Sequence, residues 1–448
     1  MQASLDTLTQ QLLEAAKRAG ADRADAMAVQ GTSLSIDVLK GALEHAERSE
    51  GIDIGLRVMV GDRQANVSAS DISEATIAQM AERAVAMAKE APEDPTIRQA
   101  DPSRLARDWD FDALEIMDPS AEPDPAALEA DALGAEAAAL AVQGVSQVQS
   151  TSAGYGRTDI HMAFSNGFSG GYGRTTRAVS LAAISGKGPA MEREFNGESR
   201  IWQKDLPSSE EIGRIAGERA AARQGAKQPP TGRFPVIFDE RVASSIVGHL
   251  LSAINGTSIV RGSSFLRDKL GQIVLPEQLS IVEDPHRPRA TGSRPFDGEG
   301  LPTTKRAWVE NGVLTGWVTD LSTAAKLGTT STANAGRGTG SPPGPGVSNV
   351  TLTPGDISPK EMMRDIGTGL LITGLIGSTV NMNTGDYSRG ASGFWVENGE
   401  IAYPVNECTV AGDLNDMLKR IIPANDAEDH KSRRVPSLLI EGLTLAGS

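Results

Sequence analysis

Apolar residues near the start of the chain fall on one face of a helix. Their three- and four-residue spacing is typical of an amphipathic helix, at Leu5, Leu8, Leu12, Leu13 and Ala16. The period changes to two between Ile52 and Val60, where apolar residues alternate with others as in a half-buried strand. A turn at Gly61 and Asp62 leads into a partner strand, and helical spacing resumes over residues 72–89. This part of the chain therefore predicts a helix, several antiparallel strands and a second helix.

The same order of elements recurs further along the chain. A connection rich in Pro and Asp covers residues 92–125, and an alanine-rich helix follows it. From residue 145 the pattern predicts successive short strands, with Asn166-Gly167 as a hairpin turn, and then a helix over residues 208–223. Paired prolines without apolar periodicity mark residues 225–233 as a linker. We therefore predict three units, at residues 1–115, 120–225 and 233–448, with the second packed against the first.

The third unit opens with a buried strand over residues 234–238. A helix follows Asp239, whose carboxylate suits an N-cap, and the stretch VGHLLSAI (247–254) lies inside that helix. The pattern WVENG occurs twice, at residues 308–312 and 395–399, and each Asn-Gly predicts a two-residue hairpin turn. The fold class is therefore α+β: helix–antiparallel-sheet segments, then a C-terminal domain with a large, mainly antiparallel sheet and flanking helices.

Composition and charge narrow the function classes. The 448-residue chain has a formal net charge of −15 and no dense run of Lys or Arg, so we expect no direct nucleic-acid partner. Residues 366–380 are the most apolar later stretch, but they fall short of the roughly 20 residues of a membrane span and predict a buried helix or strand. The N-terminus is unlike a signal peptide, and Cys408 is the single cysteine. We expect a cytoplasmic protein without membrane contact.

Common catalytic motifs are absent from the sequence. The Gly-rich stretches lack the context of a phosphate-binding loop, and no G-x-S-x-G elbow occurs. The five histidines are isolated from one another, so no local pair of zinc ligands exists. Carboxylate pairs such as Asp297/Glu299 and Glu283/Asp284 are explained more simply by charged loops than by acid–base chemistry.

The stretch TGDYSRGASGFW (384–395) precedes a predicted buried strand and has two interpretations. It is either a structural loop in which Asp386 and Arg389 form an ion pair, or a cavity-lining loop whose Arg389 and backbone contact a peptide. The sequence leaves both open.

The order of motifs over residues 234–447 resembles the TldD/PmbA family. It consists of PVIFDERVASSIVGHLLSAINGTSIVRGSSF, then PFDGEGLPTTKRAWVENGVLTGW, then TGDYSRGASGFWVENG, and finally PSLLIEGLTLAG. The match is strongest with the PmbA branch, also called TldE and once described as a modulator of DNA gyrase. The resemblance implies that a TldD-type subunit holds zinc with an HExxxH helix and a later cysteine. It also implies that a TldE-type subunit pairs with it in a metalloprotease that cleaves unfolded peptides.

The zinc ligands of that family have no counterpart in this sequence. Alignment on His249 puts Leu250 at the glutamate and Ile254 at the second histidine, and the alternative alignment puts Val247, Gly248 and Ser252 at the three positions. No cysteine stands shortly before the closing segment, and Cys408 falls too early. The resemblance therefore implies that zinc belongs only to the TldD-type partner, with no cofactor in this chain.

These observations predict a PmbA/TldE-like subunit that pairs with an HExxxH subunit, or with itself, and helps enclose an unfolded peptide. Its predicted cavity residues are His249, Asn255, Arg261, Asp386 and Arg389, none of them catalytic. One alternative is a free-standing homodimeric peptide-binding or scaffold protein without protease activity. Another is an enzyme with its own carboxylate chemistry at Asp297, Glu299 or Asp386.

Overall fold

The first part of the chain folds around one six-stranded antiparallel sheet. The computed structural model describes residues 4–447. The strand order in this sheet is β3-β2-β1-β4-β5-β6. The strands are β1 (Arg23–Leu39), β2 (Ala42–Val60), β3 (Arg63–Ala69), β4 (Val145–Phe164), β5 (Ser169–Ser185) and β6 (Glu192–Arg200). The prediction of successive short strands after residue 145 is wrong, because β4 has 20 residues and β5 has 17.

Four helices cover this sheet, and two similar halves meet at its centre. The helices are α1 (Leu5–Ala19), α2 (Glu74–Glu90), α3 (Pro125–Leu140) and α4 (Ser209–Ala222). Helices α1 and α2 enclose one apolar core with β1 and β2, whereas α3 and α4 enclose another with β4 and β5. Strands β1 and β4 pair antiparallel from Asp25↔Phe164 to Val38↔Thr151, which joins the two halves. The predicted helix–sheet–helix order is present in each half.

The last part of the chain contains two further multi-stranded sheets. A six-stranded sheet has the order β16-β15-β14-β7-β19-β17, and a five-stranded sheet has the order β10-β9-β8-β13-β18. The strands of the first are β7 (Gly232–Phe238), β14 (Gly369–Val380), β15 (Asp386–Glu397), β16 (Glu400–Asp413), β17 (Ile422–Pro423) and β19 (Leu438–Ala446). Those of the second are β8 (Ile281–Glu283), β9 (Arg306–Glu310), β10 (Val313–Leu314), β13 (Val350–Leu352) and β18 (Arg433–Arg434). A two-stranded ribbon joins β11 (Ala335–Gly336) to β12 (Gly344–Pro345).

Helices and short 3₁₀ turns connect these strands. The helices are α5 (Glu240–Ala253), α6 (Gly256–Val260), α7 (Leu321–Lys326), α8 (Pro359–Ile366) and α9 (Leu414–Leu418), and the 3₁₀ turns are Pro102–Arg104, Asp112–Leu114, Gly188–Ala190 and Gln203–Asp205. Most pairings in the two C-terminal sheets are antiparallel, with β14–β7 and β13–β18 parallel. The α+β prediction is confirmed. Within residues 4–447, no helix is both long and apolar enough to cross a membrane.

The two Asn-Gly hairpins of the WVENG pattern form as predicted, but in different sheets. The turn residues Asn311 and Gly312 join β9 to β10, and Asn398 and Gly399 join β15 to β16. All four have positive φ, between 49° and 79°, as a two-residue hairpin of this kind requires. The apolar stretch over residues 366–380 contains strand β14, whose Leu370 and Ile372 are fully buried.

Candidate functional site

Helix α5 carries VGHLLSAI and packs against the sheet formed by β7 and β14. Asp239 is its N-cap, as predicted, because its side chain accepts from the Arg241 backbone N–H at 3.3 Å. The buried side of the helix joins the largest apolar core of the chain, through Ala243, Ile246, Val247, Leu250, Leu251, Ala253 and Ile254. The helix is therefore held in place by its apolar side, and the residues on its other side do not belong to this core.

Neither alignment with a zinc helix provides a full set of metal-ligating side chains, because the first retains only His249 and the second retains none. In the first alignment, Leu250 and Ile254 are both 0% exposed and pack in the apolar core. In the second, Gly248 lies against the Arg433 guanidinium, since a Cβ added at Gly248 would be 3.0 Å from Nη1. Arg433 belongs to β18, just before the closing strand. A guanidinium therefore covers this turn of the helix, and the residues present do not fit a metal site there.

His249 and Arg389, two of the predicted site residues, come close to Tyr387. The His249 and Tyr387 rings meet edge-on, with centroids 5.9 Å apart. Burial lowers the pKa of His249, and the Arg389 charge lowers it further, so both effects favour the neutral imidazole. His249 Nε2 and Arg389 Nε are buried without a hydrogen-bond partner among the described residues. The pair is therefore suited to polar contact rather than to packing alone.

Asp386 lies at the exposed start of β15. Its Oδ2 accepts a hydrogen bond from Thr384 Oγ1 at 2.6 Å. The ion pairs found within residues 4–447 do not include one between Asp386 and Arg389. The two side chains therefore do not form the ion pair of the structural interpretation.

Arg261 lines a cavity of about 350 Å³, and Asn255 contacts Pro345, one of the residues of the cavity wall. Asn255 is the N-cap of α6 and donates from Nδ2 to the Pro345 carbonyl at 2.8 Å, whereas Arg261 lines the cavity itself. The wall also contains four prolines and glycines of the loop 342–345, together with Arg57, Arg98, Glu299 and Lys326. The predicted site residues thus lie in two separate places. His249 and Arg389 are near Tyr387, Asn255 and Arg261 are near the loop 342–345, and Asp386 belongs to neither group.

A larger cleft, of about 530 Å³, lies between β6 and the start of α5. One side consists of residues 194–199, and the other includes Glu240, Glu428, His430 and Lys431. Lys431 Nζ lies 2.5 Å from Glu240 Oε2 and 2.9 Å from Glu428 Oε2. His430 Nε2 lies 3.6 Å from Glu198 Oε2 and 3.5 Å from Glu428 Oε2. The cleft is therefore polar and carries both signs of charge.

Burial shifts the pKa values of Glu240 and His430, which line this cleft. It raises the pKa of Glu240, although Lys431 opposes the shift. It lowers the pKa of His430, and Arg200 contributes to the same direction. The sequence did not reveal this cleft, because its residues come from β6, α4, α5 and the segment 428–432, and no local spacing links them.

Asp297 and Glu299 are structural rather than exposed reactive groups. Asp297 is 1% exposed and accepts from the backbone N–H of Glu299 and Leu301 at 2.9 Å and of Ala335 at 3.0 Å. Glu299 Oε2 accepts from Leu321 N, at the start of α7, at 2.9 Å. Burial raises the pKa of both, and that of Glu299 rises well above its ordinary value. Each carboxyl thus fixes a turn of backbone.

Cys408 is a buried thiol on β16. Its Sγ donates to the Ala391 carbonyl at 3.2 Å, and burial raises its pKa to about 11. Among the residues that the structure describes, no group of three or more His, Cys, Asp or Glu side chains is arranged to hold a metal ion.

Family models match most of the chain. PmbA/TldA metallopeptidase domain 1 matches residues 24–88, the central domain matches 118–224, and the C-terminal domain matches 231–447. Metalloprotease PmbA of Escherichia coli O157:H7 is 35% identical over 95% of this chain and 92% of its own length. The chain belongs to the PmbA/TldD family. A PmbA homologue of Haemophilus influenzae is 36% identical over 97% of this chain and 94% of its own length.

Solved structures of PmbA/TldD-like proteins share the fold. A proposed modulator of DNA gyrase from Bacteroides thetaiotaomicron has a TM-score of 0.91 at 26% identity and covers 98% of both chains. TldE from Thermococcus kodakarensis has a TM-score of 0.85 at 20% identity, covering 98% of this chain and all of its own, which shows the fold alone. The resemblance to the PmbA branch is confirmed, and the chain has a protease-related role in that family.

Proposed function

We propose that this chain is the non-catalytic subunit of a TldD/TldE-type metalloprotease complex. It pairs with a TldD-type HExxxH subunit, which supplies zinc, and helps enclose an unfolded peptide. The observation that carries the proposal is the side-chain content of α5. Its Leu250 and Ile254 belong to the core, and Gly248 lies beneath Arg433. This helix offers no Lewis acid and no metal-activated water, so hydrolysis requires the partner.

The free edge of β6 supports a role in holding an extended peptide. The cleft contacts six consecutive residues of this strand, 194–199. Successive side chains point to opposite faces of a sheet, so a cleft that contacts all six runs along the strand's edge. Strand β6 is the outermost strand of its sheet, on the side opposite β3. An extended peptide adds to such an edge through main-chain hydrogen bonds, which favours unfolded substrates largely independently of their sequence.

Side chains on both sides of the cleft support the same proposal. Phe195 is 53% exposed and offers an aromatic surface, while Glu240 and Lys431 provide charges opposite the strand. We propose that His249 and Arg389 contact the part of the peptide that extends beyond the cleft. In the assembled complex, Asn255, Arg261 and Asp386 also face the peptide.

Peptide binding to the purified chain tests the role of the cleft. An unfolded, fluorescently labelled peptide is titrated, and its anisotropy gives the dissociation constant. We expect Phe195→Glu to weaken binding about tenfold, because an exposed aromatic contact at the centre of a binding site is typically worth about 1–2 kcal/mol. Met191→Glu is the matched control, since Met191 is 49% exposed but lies outside the residues lining the cleft. Equal effects of the two substitutions would contradict the cleft assignment.

Complex formation tests the role of the partner. The chain is mixed with the TldD-type subunit of the same organism, and light scattering gives the mass of the product. We expect a species containing both chains, with zinc recovered only in proportion to the TldD-type subunit. Stoichiometric zinc in this chain alone would contradict the proposal. Absence of a complex would favour the free-standing homodimeric peptide-binding or scaffold protein.

A further inference from the structure

The cavity of about 350 Å³ that Arg261 lines is rich in positive charge, and we call it the arginine cavity. It lies where the first sheet meets the C-terminal part of the chain, because its wall combines side chains of β2 and β3 with those of α6 and α7. Four cationic side chains line it: Arg57, Arg98, Arg261 and Lys326. The same wall contains two acids, Glu299 and Asp320. In a chain with net charge −15, such an excess of cations is unusual.

The two acids of the wall do not cancel this positive charge. Burial raises the pKa of Glu299, and the charges of Asp297 and Asp320 raise it further, so all three effects favour the uncharged carboxyl. An uncharged carboxyl has an O–H that can donate to a ligand oxygen. Asp320 caps α7, because its Oδ1 accepts from Thr323 N at 2.8 Å and from Thr323 Oγ1 at 2.6 Å. Its charge is therefore already engaged by the protein.

Two of the four cations already have carboxylate partners. Lys326 Nζ lies 2.7 Å from Asp94 Oδ2. Arg57 Nε donates to Asp25 Oδ2 at 2.6 Å, and its Nη1 donates to Gln64 Oε1 at 3.4 Å. These contacts hold Lys326 and Arg57 in place and compensate most of their charge.

Arg98 and Arg261 have no acidic partner within residues 4–447. Arg98 Nε donates to the Thr96 carbonyl at 3.3 Å, and the Arg261 side chain makes no hydrogen bond or ion pair in the same part of the chain. Both side chains belong to exposed residues, whereas Arg57 and Glu299 are 5% and 6% exposed. The cavity therefore opens to solvent at the two free arginines and ends at buried polar groups.

The rest of the wall is largely apolar. Val260 is 40% exposed beside Arg261, and Ile97 precedes Arg98 in the chain. The loop 342–345 contributes three prolines and a glycine. A ligand for this cavity therefore combines a negative charge with an apolar group, because burial of apolar surface adds to the attraction between opposite charges.

We propose that the arginine cavity binds the terminal carboxylate of a peptide whose last side chain is apolar. The inference rests on the proposed function, since the ligand is the unfolded peptide that the complex handles. Arg98 and Arg261 bind the carboxylate, because a guanidinium presents paired N–H donors that match its two oxygens. The last side chain packs against the prolines. A single negative charge suits two unpaired arginines better than a phosphate dianion, which would lie close to Asp320.

The charged cleft along β6 has a different balance of charge. Its wall contains four glutamates, against two arginines, one lysine and a histidine: Glu194, Glu198, Glu240, Glu428, Arg219, Arg241, Lys431 and His430. A terminal carboxylate is therefore more stable in the arginine cavity than in the cleft. The two places recognise different parts of a peptide, the main chain at the β6 edge and the end of the chain at the arginines.

A pair of peptides tests the recognition of the carboxylate. Both carry a fluorophore at the N-terminus, contain no Asp or Glu and end in leucine, but one has a free carboxylate and the other a C-terminal amide. Anisotropy gives their dissociation constants for the purified chain. We expect the carboxylate form to bind about tenfold more tightly, because it alone makes charge-assisted hydrogen bonds to the arginines. Equal affinities would overturn the proposal.

Substitution of the two free arginines assigns that preference to this cavity. We expect the double variant Arg98→Gln/Arg261→Gln to bind both peptides alike, whereas Arg261→Lys keeps part of the preference because it keeps the charge. Arg267→Gln is the matched control, since the Arg267 side chain is 53% exposed on the same segment but lies outside the cavity wall. Circular dichroism confirms that each variant is folded. A tenfold preference that survives in the double variant would place the carboxylate elsewhere.

Small competitors separate the end of a peptide from other anions. N-acetyl-leucine is expected to displace the carboxylate peptide, and N-acetyl-leucinamide and inorganic phosphate are expected to do so at least tenfold more weakly. Phosphate that competes as well as N-acetyl-leucine would contradict the preference for a carboxylate with an apolar group. Binding of N-acetyl-leucine without any preference between the two peptides would assign the cavity to a free acid and contradict the peptide as its ligand.

Phe195→Glu distinguishes failure of the cavity from failure of the cleft. It is expected to weaken both peptides equally and to leave the ratio of their dissociation constants unchanged. A tenfold ratio in a chain that Phe195→Glu does not affect would support the arginine cavity and contradict the cleft. If neither peptide binds, calorimetry with N-acetyl-leucine still tests the cavity, and absence of heat there would overturn the carboxylate site itself.

Discussion

Removal of the Asp297 carboxylate distinguishes a structural role from a chemical one. Three buried backbone N–H groups donate to its two oxygens, at 2.9, 2.9 and 3.0 Å. Hydrogen bonds to a charged group contribute about 1.5–3 kcal/mol each, and a buried donor without an acceptor costs about 1–3 kcal/mol. Burying the carboxylate costs free energy, and this burial is the cause of its raised pKa. Removal of the carboxylate also removes that cost, which offsets part of the loss of the hydrogen bonds. The net expectation for Asp297→Ala is a loss of about 3–5 kcal/mol in the free energy of unfolding.

The assay is urea unfolding at pH 7, followed by circular dichroism. Asp297→Asn is expected to cost about half as much, because its amide oxygen still accepts while its NH₂ opposes a backbone donor. Asp386→Ala is the control, since Asp386 is exposed and accepts only the Thr384 hydroxyl among its side-chain partners, so a change below about 1 kcal/mol is expected. If Asp297→Ala kept the wild-type unfolding midpoint but abolished peptide handling, the structural assignment of this carboxyl would be refuted.

Three further predictions follow from burial and close contacts. Burial raises the pKa of Glu299 above its ordinary 4.5, so the folded state retains a proton that the unfolded state loses. The free energy of unfolding therefore falls as the pH rises from about 4.5 towards the folded pKa. Glu299→Gln should reduce that fall in urea unfolding between about pH 5 and pH 8, and an unchanged slope would contradict the shift. A Cβ at Gly55 would lie 2.3 Å from the Thr339 carbonyl oxygen, so Gly55→Ala should cost about 1–3 kcal/mol, whereas Gly31→Ala, with no atom within 4 Å, should change thermal unfolding little. The Cys408 thiol, with its pKa raised to about 11, should react with iodoacetamide at pH 8 only after unfolding, and labelling of the native chain would show that the thiol is accessible.

Local pattern was sufficient for the fold class and for most helices. The spacing at the N-terminus predicts α1, and serine or aspartate caps fix the helix starts at Ser4, Ser73 and Asp239. The length of β4 was missed, because its glycines and polar residues break the apolar alternation that marks a strand. The strand still forms through these glycines and polar residues, because β1 and β5 pair with the β4 backbone from both sides.

The candidate site was only partly predictable. His249 and Arg389 are 140 positions apart, yet the sequence singled out both, and α5 and β15 bring them to the same side chain, Tyr387. The charged cleft had no sequence signature, because Glu198, Glu240 and Lys431 come from three distant segments. Asp297 and Glu299 were predicted to be charged loop residues, with carboxylate chemistry as an alternative, and only their burial and backbone donors show a structural role.

Peptide hydrolysis by the separate and combined subunits tests the central proposal most directly. An unfolded peptide is incubated with this chain alone, with the TldD-type subunit alone, and with both, each with and without a zinc chelator. We expect no cleavage by this chain, and cleavage by the mixture that exceeds that of the TldD-type subunit alone and disappears with the chelator. Chelator-insensitive cleavage by this chain alone would contradict its assignment as the non-catalytic subunit.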